Sequence, residues 1–138
     1  MITQAIYDLL NVANITVLVG TNISPVVATP GVSLPWVVFN ERGVPEDFKK
    51  GTDSTHSIVS NFDVQIDIYC EKGKDGNGGF LECNTIGDAI KLELDGLTPQ
   101  LIGGVNIEEV VLREEQNIYD PISEAARQIL EFNFRVRP

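Results

Sequence analysis

Between Phe62 and Cys70 every second residue is apolar. Phe62, Val64, Ile66, Ile68 and Cys70 alternate with Asp63, Gln65, Asp67 and Tyr69. A period of two sends successive side chains to opposite faces of a pleated strand, so this stretch predicts a strand with one buried and one wet face. The pattern returns at the end of the chain. There Leu130, Phe132, Phe134 and Val136 face one way, and Glu131, Asn133, Arg135 and Arg137 the other. Two half-buried strands need an apolar cover, and two stretches have helical spacing. Ile2, Ala5, Ile6, Leu9, Leu10 and Ala13 predict a helix over 2–13; Phe80, Cys83, Ile86, Ile90 and Leu94 predict one over 80–95, stopped by Gly96. Gly87 inside the second helix marks a close approach to the sheet, because glycine there otherwise costs about 1 kcal/mol against alanine.

The rest of the chain falls between these elements. Trp36-Val37-Val38-Phe39-Asn40-Glu41 is dense in β-branched and aromatic residues and predicts a strand. Residues 105–118 read as a long, charged strand. Residues 15–34 are apolar but aperiodic and read as an irregular packed connection. Residues 42–57 hold two glycines, one proline and six charges, and read as a long exposed loop. Residues 71–79 read as a glycine-rich turn, 97–104 as a short connection and 119–123 as a turn. The order helix, strand, strand, helix, strand, strand predicts an α+β fold: an antiparallel sheet of about four strands packed with two helices. At 138 residues the chain is one domain, 1–138.

Several function classes are disfavoured. A 43% hydrophobic and 22% charged composition excludes a mostly disordered chain. No apolar run approaches the ~20 residues of a membrane span, and the N-terminus reads as lacking a signal peptide. A net charge of −10 repels nucleic acid and anionic membranes. His56 is the sole histidine and stands in the charged loop without a nucleophile context, so no catalytic residue is assigned. One histidine and two separated cysteines make no zinc site, and the Asp75–Gly79 run fails as a calcium loop at its fifth and twelfth positions. No cofactor and no metal are expected. Cys70 and Cys83 could meet in space, but the plainer reading is two reduced, semi-buried thiols in a cytosolic protein.

The element order and three local passages together are familiar. A short amphipathic helix, Ala5-Ile6-Tyr7-Asp8-Leu9-Leu10, runs toward Val17-Leu18-Val19-Gly20. A loop leads to Leu34-Pro35-Trp36-Val37-Val38-Phe39. The chain closes with Tyr119-Asp120-Pro121 and a strand ending Phe132-Asn133-Phe134-Arg135-Val136-Arg137. This resembles the small tail-completion, or tail-terminator, proteins of long-tailed bacteriophages over nearly the whole chain. Loop 42–57 and turn 73–79 match nothing in that family. The resemblance implies a structural role in the virion, at the head-proximal end of the tail, after assembly in the host cytoplasm. It implies a homo-oligomeric ring, usually a hexamer, that caps the tail tube, stops its polymerisation and docks the head. The implied partners are the major tail tube protein and a head-completion or neck protein, with DNA passing through the lumen without specific binding. Alternatives are another neck component, a head-completion or stopper protein, or a host α+β binding domain.

The acid is concentrated. Residues 108–124 hold six acidic side chains and one basic, and residues 125–138 three basic and one acidic. Strict alternation sends Glu109 and Glu115 to one face and Glu108 and Glu114 to the other. A buried face cannot accept unpaired carboxylates, so the strand is expected to overhang the core. Arg127, Arg135 and Arg137 stand on the adjoining strand. These seven residues are the candidate interface or channel-lining site. Exposed edges of such a sheet invite pairing with another subunit.

Overall fold

A computed structural model of the chain describes residues 3–25, 34–48, 59–71, 79–120 and 125–137. The described elements run α1 (Thr3–Leu10), α2 (Ala13–Val19), β1 (Ile23–Pro25), β2 (Trp36–Phe48), β3 (Val59–Glu71), α3 (Phe80–Leu94), β4 (Gln100–Ile102), β5 (Val105–Asp120) and β6 (Ala125–Arg137). They form an α+β fold with one six-stranded sheet in the order β1-β2-β3-β6-β5-β4. The sheet is mixed, because β1 runs parallel to β2 while every other pairing is antiparallel.

The two alternating segments lie side by side at the centre. Phe62 pairs with Phe134, Val64 with Phe132 and Ile66 with Leu130. Directly opposed residues share a face, so both apolar sets point the same way. Val64, Ile66, Leu130, Phe132 and Phe134 are at most 1% exposed, and Phe62 packs half-buried beside them. The helices close this face with Ala5, Ile6 and Leu10 from α1, Ile15 and Val19 from α2, and Cys83, Ile86, Ile90 and Leu94 from α3. Helix α3 ends as the sequence predicts: the Asp95 amide donates to the Lys91 carbonyl, and Gly96 follows at φ +73°. Gly87 does mark a close approach. A Cβ there would stand 1.8 Å from Gln128 Oε1, and Gln128 is a buried polar residue on the helix side.

The sequence reading needs correction in several places. The first helix stops at Leu10, and a second, Ala13–Val19, occupies what read as irregular chain. Ile15, Thr16, Val17 and Val19 are β-branched and weak helix formers, but the spacing of Ile15 and Val19 puts two buried side chains on one face. Three-residue β1 and β4 raise the strand number from about four to six. Gly103 and Gly104, both at positive φ, join β4 to β5 as the two-residue hairpin turn that such a pair favours. Finally, β2 does not end at Glu41. It pairs with β3 through Phe48, with an irregularity between Arg42 and Glu46 that contains Gly43 and Pro45. The ladder therefore takes in 42–48 of the expected loop despite its charge. Residues 49–58 with His56, residues 72–78 of the expected glycine-rich turn, and residues 121–124 lie outside the described residues.

Candidate assembly surfaces

The face of the sheet away from the helices carries linked charges. Arg42 Nη1 donates to Gln65 Oε1 at 2.7 Å and to Glu131 Oε1 at 2.9 Å. Gln65 Nε2 in turn donates to both Asp67 carboxylate oxygens, at 2.9 and 3.0 Å. Arg127 Nη2 reaches Asp67 Oδ2 at 3.2 Å, and Arg127 Cζ lies 5.4 Å from the centre of the Tyr69 ring. Asn133 Nδ2 donates to Asp63 Oδ1 at 3.0 Å. The linked groups thus cross β2, β3 and β6, and among the described residues no helix lies above them. A shallow depression of about 410 Å³, lined in part by Arg42, Asp63, Arg113 and Glu131, opens on this face.

Asp67 corrects the expectation of a uniformly wet face. It is 4% exposed, and Val38 and Ile129 of the same face are buried with it. A buried carboxylate persists where hydrogen bonds and a counter-charge offset its lost hydration, and Gln65 and Arg127 supply both. Its alternation with Ile66 and Ile68 reads in sequence as simple exposure, so no sequence signal distinguishes it from Asp63.

The seven candidate residues are brought to one adjacent strand pair, β5 and β6, but not in the predicted arrangement. Strand β5 carries two register shifts against β6, between Ile107 and Glu109 and between Leu112 and Glu114. Each bulge inserts one residue and reverses which side chains face the core beyond it. Glu109 therefore lies opposite Arg135, and Glu114 opposite Glu131, on the helix-free face, while Glu115 lies opposite Leu130 on the other. Glu108 at the first bulge binds Arg137 Nη2 at 2.7 Å and Arg135 Nε at 3.8 Å. Arg127 takes Asp67 of β3 as its partner rather than an acid of β5. Residues 113–117 are all exposed, so the strand does run past the core there.

Glu115 faces α3, where its Oε2 accepts from Lys91 Nζ at 2.9 Å. That hydrogen bond raises the Lys91 pKa above the ordinary lysine value against an opposing effect of burial, with Asp88 at 3.2 Å adding to the rise. Cys70 and Cys83 meet beneath α3, and both are free and fully buried. Their mutual hydrogen bond, then burial, then the charge of Cys83 and of nearby Glu82 push the Cys70 thiol far above its usual range. Cys83 Sγ also lies 3.5 Å from the Ile68 and Ala126 carbonyl oxygens. The plain reading of two reduced thiols fits, with burial deeper than expected. Among the described residues no group of three or more His, Cys, Asp or Glu is placed to hold a metal, and no helix is long and apolar enough to cross a membrane.

A helix-backed open sheet, ion-paired on its other face, defines an α+β structural subunit. The family model for Tail completion protein gp17 matches residues 4–137, and the chain belongs to that family. It is a structural component of a phage-type tail and not an enzyme. Among solved structures, a chain from the virion of a native gene transfer agent particle is similar in fold. The TM-score is 0.72 at 18% identity, over 97% of this chain and 92% of that one. No curated protein matches.

Proposed function

We propose that the chain is the subunit of a hexameric ring that terminates the tail tube at its head-proximal end and offers the surface on which the head or neck docks. Membership of the tail completion family over residues 4–137 carries this reading. The net charge of −10 suits a channel through which DNA must slide, since each basic contact to a phosphate adds salt-dependent adhesion. Glu109 and Glu114, on the helix-free face, are assigned to the channel wall or the subunit boundary. Glu108, Arg135 and Arg137 hold the β5–β6 rim in register. Glu115 and Arg127 anchor that rim to α3 and β3. Assembly in the host cytoplasm would precede joining to the head.

The test combines the purified chain with polymerising tail tube protein. Electron microscopy should show tubes of limited length with a ring at one end, and native mass spectrometry should show six-chain species. Tubes that lengthen unchecked, with the chain left monomeric, would overturn the reading. Binding to head-completion rings without binding to tubes would favour a stopper protein instead.

A further inference from the structure

Among the described residues, both edges of the sheet are covered for only part of their length, and the covered parts sit at opposite ends. On one side β1 pairs with Val37–Phe39 of β2. On the other, β4 pairs with Val105–Ile107 of β5. The Gly96 amide donates to the Val110 carbonyl, and the Leu112 amide to Asp95 Oδ1, which extends that cover to Leu112. Among the described residues, no strand pairs with the outward side of Arg42–Phe48 of β2 or of Arg113–Ile118 of β5. Register places these two stretches diagonally. Phe48 lies opposite Val59, and the next rung, Ser60 with Val136, continues to Ile107, so the open part of β2 is level with the covered start of β5. Trp36, Tyr69, Arg127 and Ile118 form another row, which levels the open part of β5 with the covered start of β2.

Each edge is therefore a step, and the two steps are complementary. Three successive antiparallel pairings make β2 and β5 run in opposite directions. Set edge to edge in neighbouring copies, the two open stretches run antiparallel, which is a good ladder geometry. Strand β4 of one copy then fits beyond the end of the other copy's β2, and β1 beyond the end of β5, so the covering strands fix the offset. The contact uses two different surfaces, and such heterologous contacts generate rings when the rotation closes.

We propose that the sheet continues from subunit to subunit, with Arg113–Ile118 of β5 in one copy hydrogen-bonded to Arg42–Phe48 of β2 in the next. This rests on the ring reading and specifies its interface. The outward amides can be named. Leu112 points its amide away from β6, and alternation, reset by the bulge, turns the amides of Glu115 and Asn117 outward too. Proline belongs only where a strand amide is not needed within its own sheet, so Asn117→Pro removes an intersubunit donor and leaves the β5–β6 ladder intact.

Hydrogen exchange of the wild-type ring against dilute monomer is the decisive experiment. The Glu115 and Asn117 amides should slow by at least about tenfold on assembly, as amides do when an open edge becomes a ladder. Asn117→Pro should melt like the wild type yet stay monomeric by native mass spectrometry. If rings form and these amides exchange as in the monomer, the interface lies elsewhere and the proposal falls while the ring stands. If wild-type chains pair only as dimers through β5 and β5, the proposal falls as well. If no assembly occurs even on tail tubes, the ring reading itself has failed.

Discussion

The two faces of the same central strands solve opposite problems. On the helix side, Phe132, Phe134, Ile66 and Leu130 lose essentially all their exposure against three helices. On the other side, Arg42, Gln65, Asp67, Arg127 and Glu131 link through hydrogen bonds and ion pairs, with no helix above among the described residues. Apolar burial is non-directional and adds with area, so the first face sets stability. Exposed ion pairs such as Arg42–Glu131 contribute about 0–1 kcal/mol each, so outside the buried Asp67–Arg127 pair the second face adds little and is free to serve geometry and partner choice.

The sharpest way to break this contrast is Phe132→Ala. It removes a fully buried ring opposite Val64 and should cost about 3–5 kcal/mol in urea melts. A loss below about 1 kcal/mol would mean the helix face is not the stabilising one. Alkali probes the same face chemically. Cys70, its pKa raised by the Cys83 hydrogen bond and burial, keeps its proton in the fold, whereas the unfolded thiol ionises near its ordinary value. The folded state thus holds more protons in alkali. Stability should be full below the unfolded thiol pKa of about 8.5 and fall above it by up to about 1.4 kcal/mol per pH unit. Cys70→Ala should flatten that slope, and an unchanged slope would assign it to other groups.

Gly87→Ala tests how tightly α3 sits on β6. Its Cβ would displace the Gln128 amide, whose Nε2 donates to Asn84 at 3.1 Å. A net loss of about 1–2 kcal/mol is expected, after the helix-propensity gain of alanine is subtracted from the overpacking cost. The smallest effect on folding belongs to the other face. Glu114→Lys should change stability by less than about 0.5 kcal/mol. If Glu114 lines the channel or boundary, the same substitution should reduce ring yield or DNA passage. Normal assembly with it would make Glu114 plain solvated surface.

Legibility in the sequence followed the same division. Strands β3 and β6, helix α3 with its Gly96 stop, and the Gly87 contact could all be read, because burial on one face imposes a period. Helix α2 is hidden because β-branched residues mask helical spacing, and β1 and β4 because three residues are too few to show a period. The extension of β2 to Phe48 was masked by Glu46, Asp47 and the Gly43–Pro45 interruption, which resemble loop chemistry although the ladder continues. That Glu108, Glu109, Glu114 and Glu115 share a strand next to Arg127, Arg135 and Arg137 is legible in the sequence, but their pairings are not. Glu108 and Glu109 lie next to each other in a stretch with no turn residue, and nothing in their chemistry announces a bulge between Ile107 and Glu109.

Those two bulges have a further consequence. Ile107 and Glu115 are in phase with each other, both toward the helix side, while the residues between the bulges are shifted by one. The second insertion cancels the first, much as a compensating frameshift restores a reading frame. Each insertion is nonetheless self-contained, because taking out a bulged residue lets its two neighbours alternate without a gap. Deleting Glu108 would set Ile107 directly before Glu109, and deleting Arg113 would set Leu112 directly before Glu114, with every remaining side chain on its present face and opposite its present partner on β6. Either deletion alone should therefore leave the fold intact and shorten β5 by a single residue.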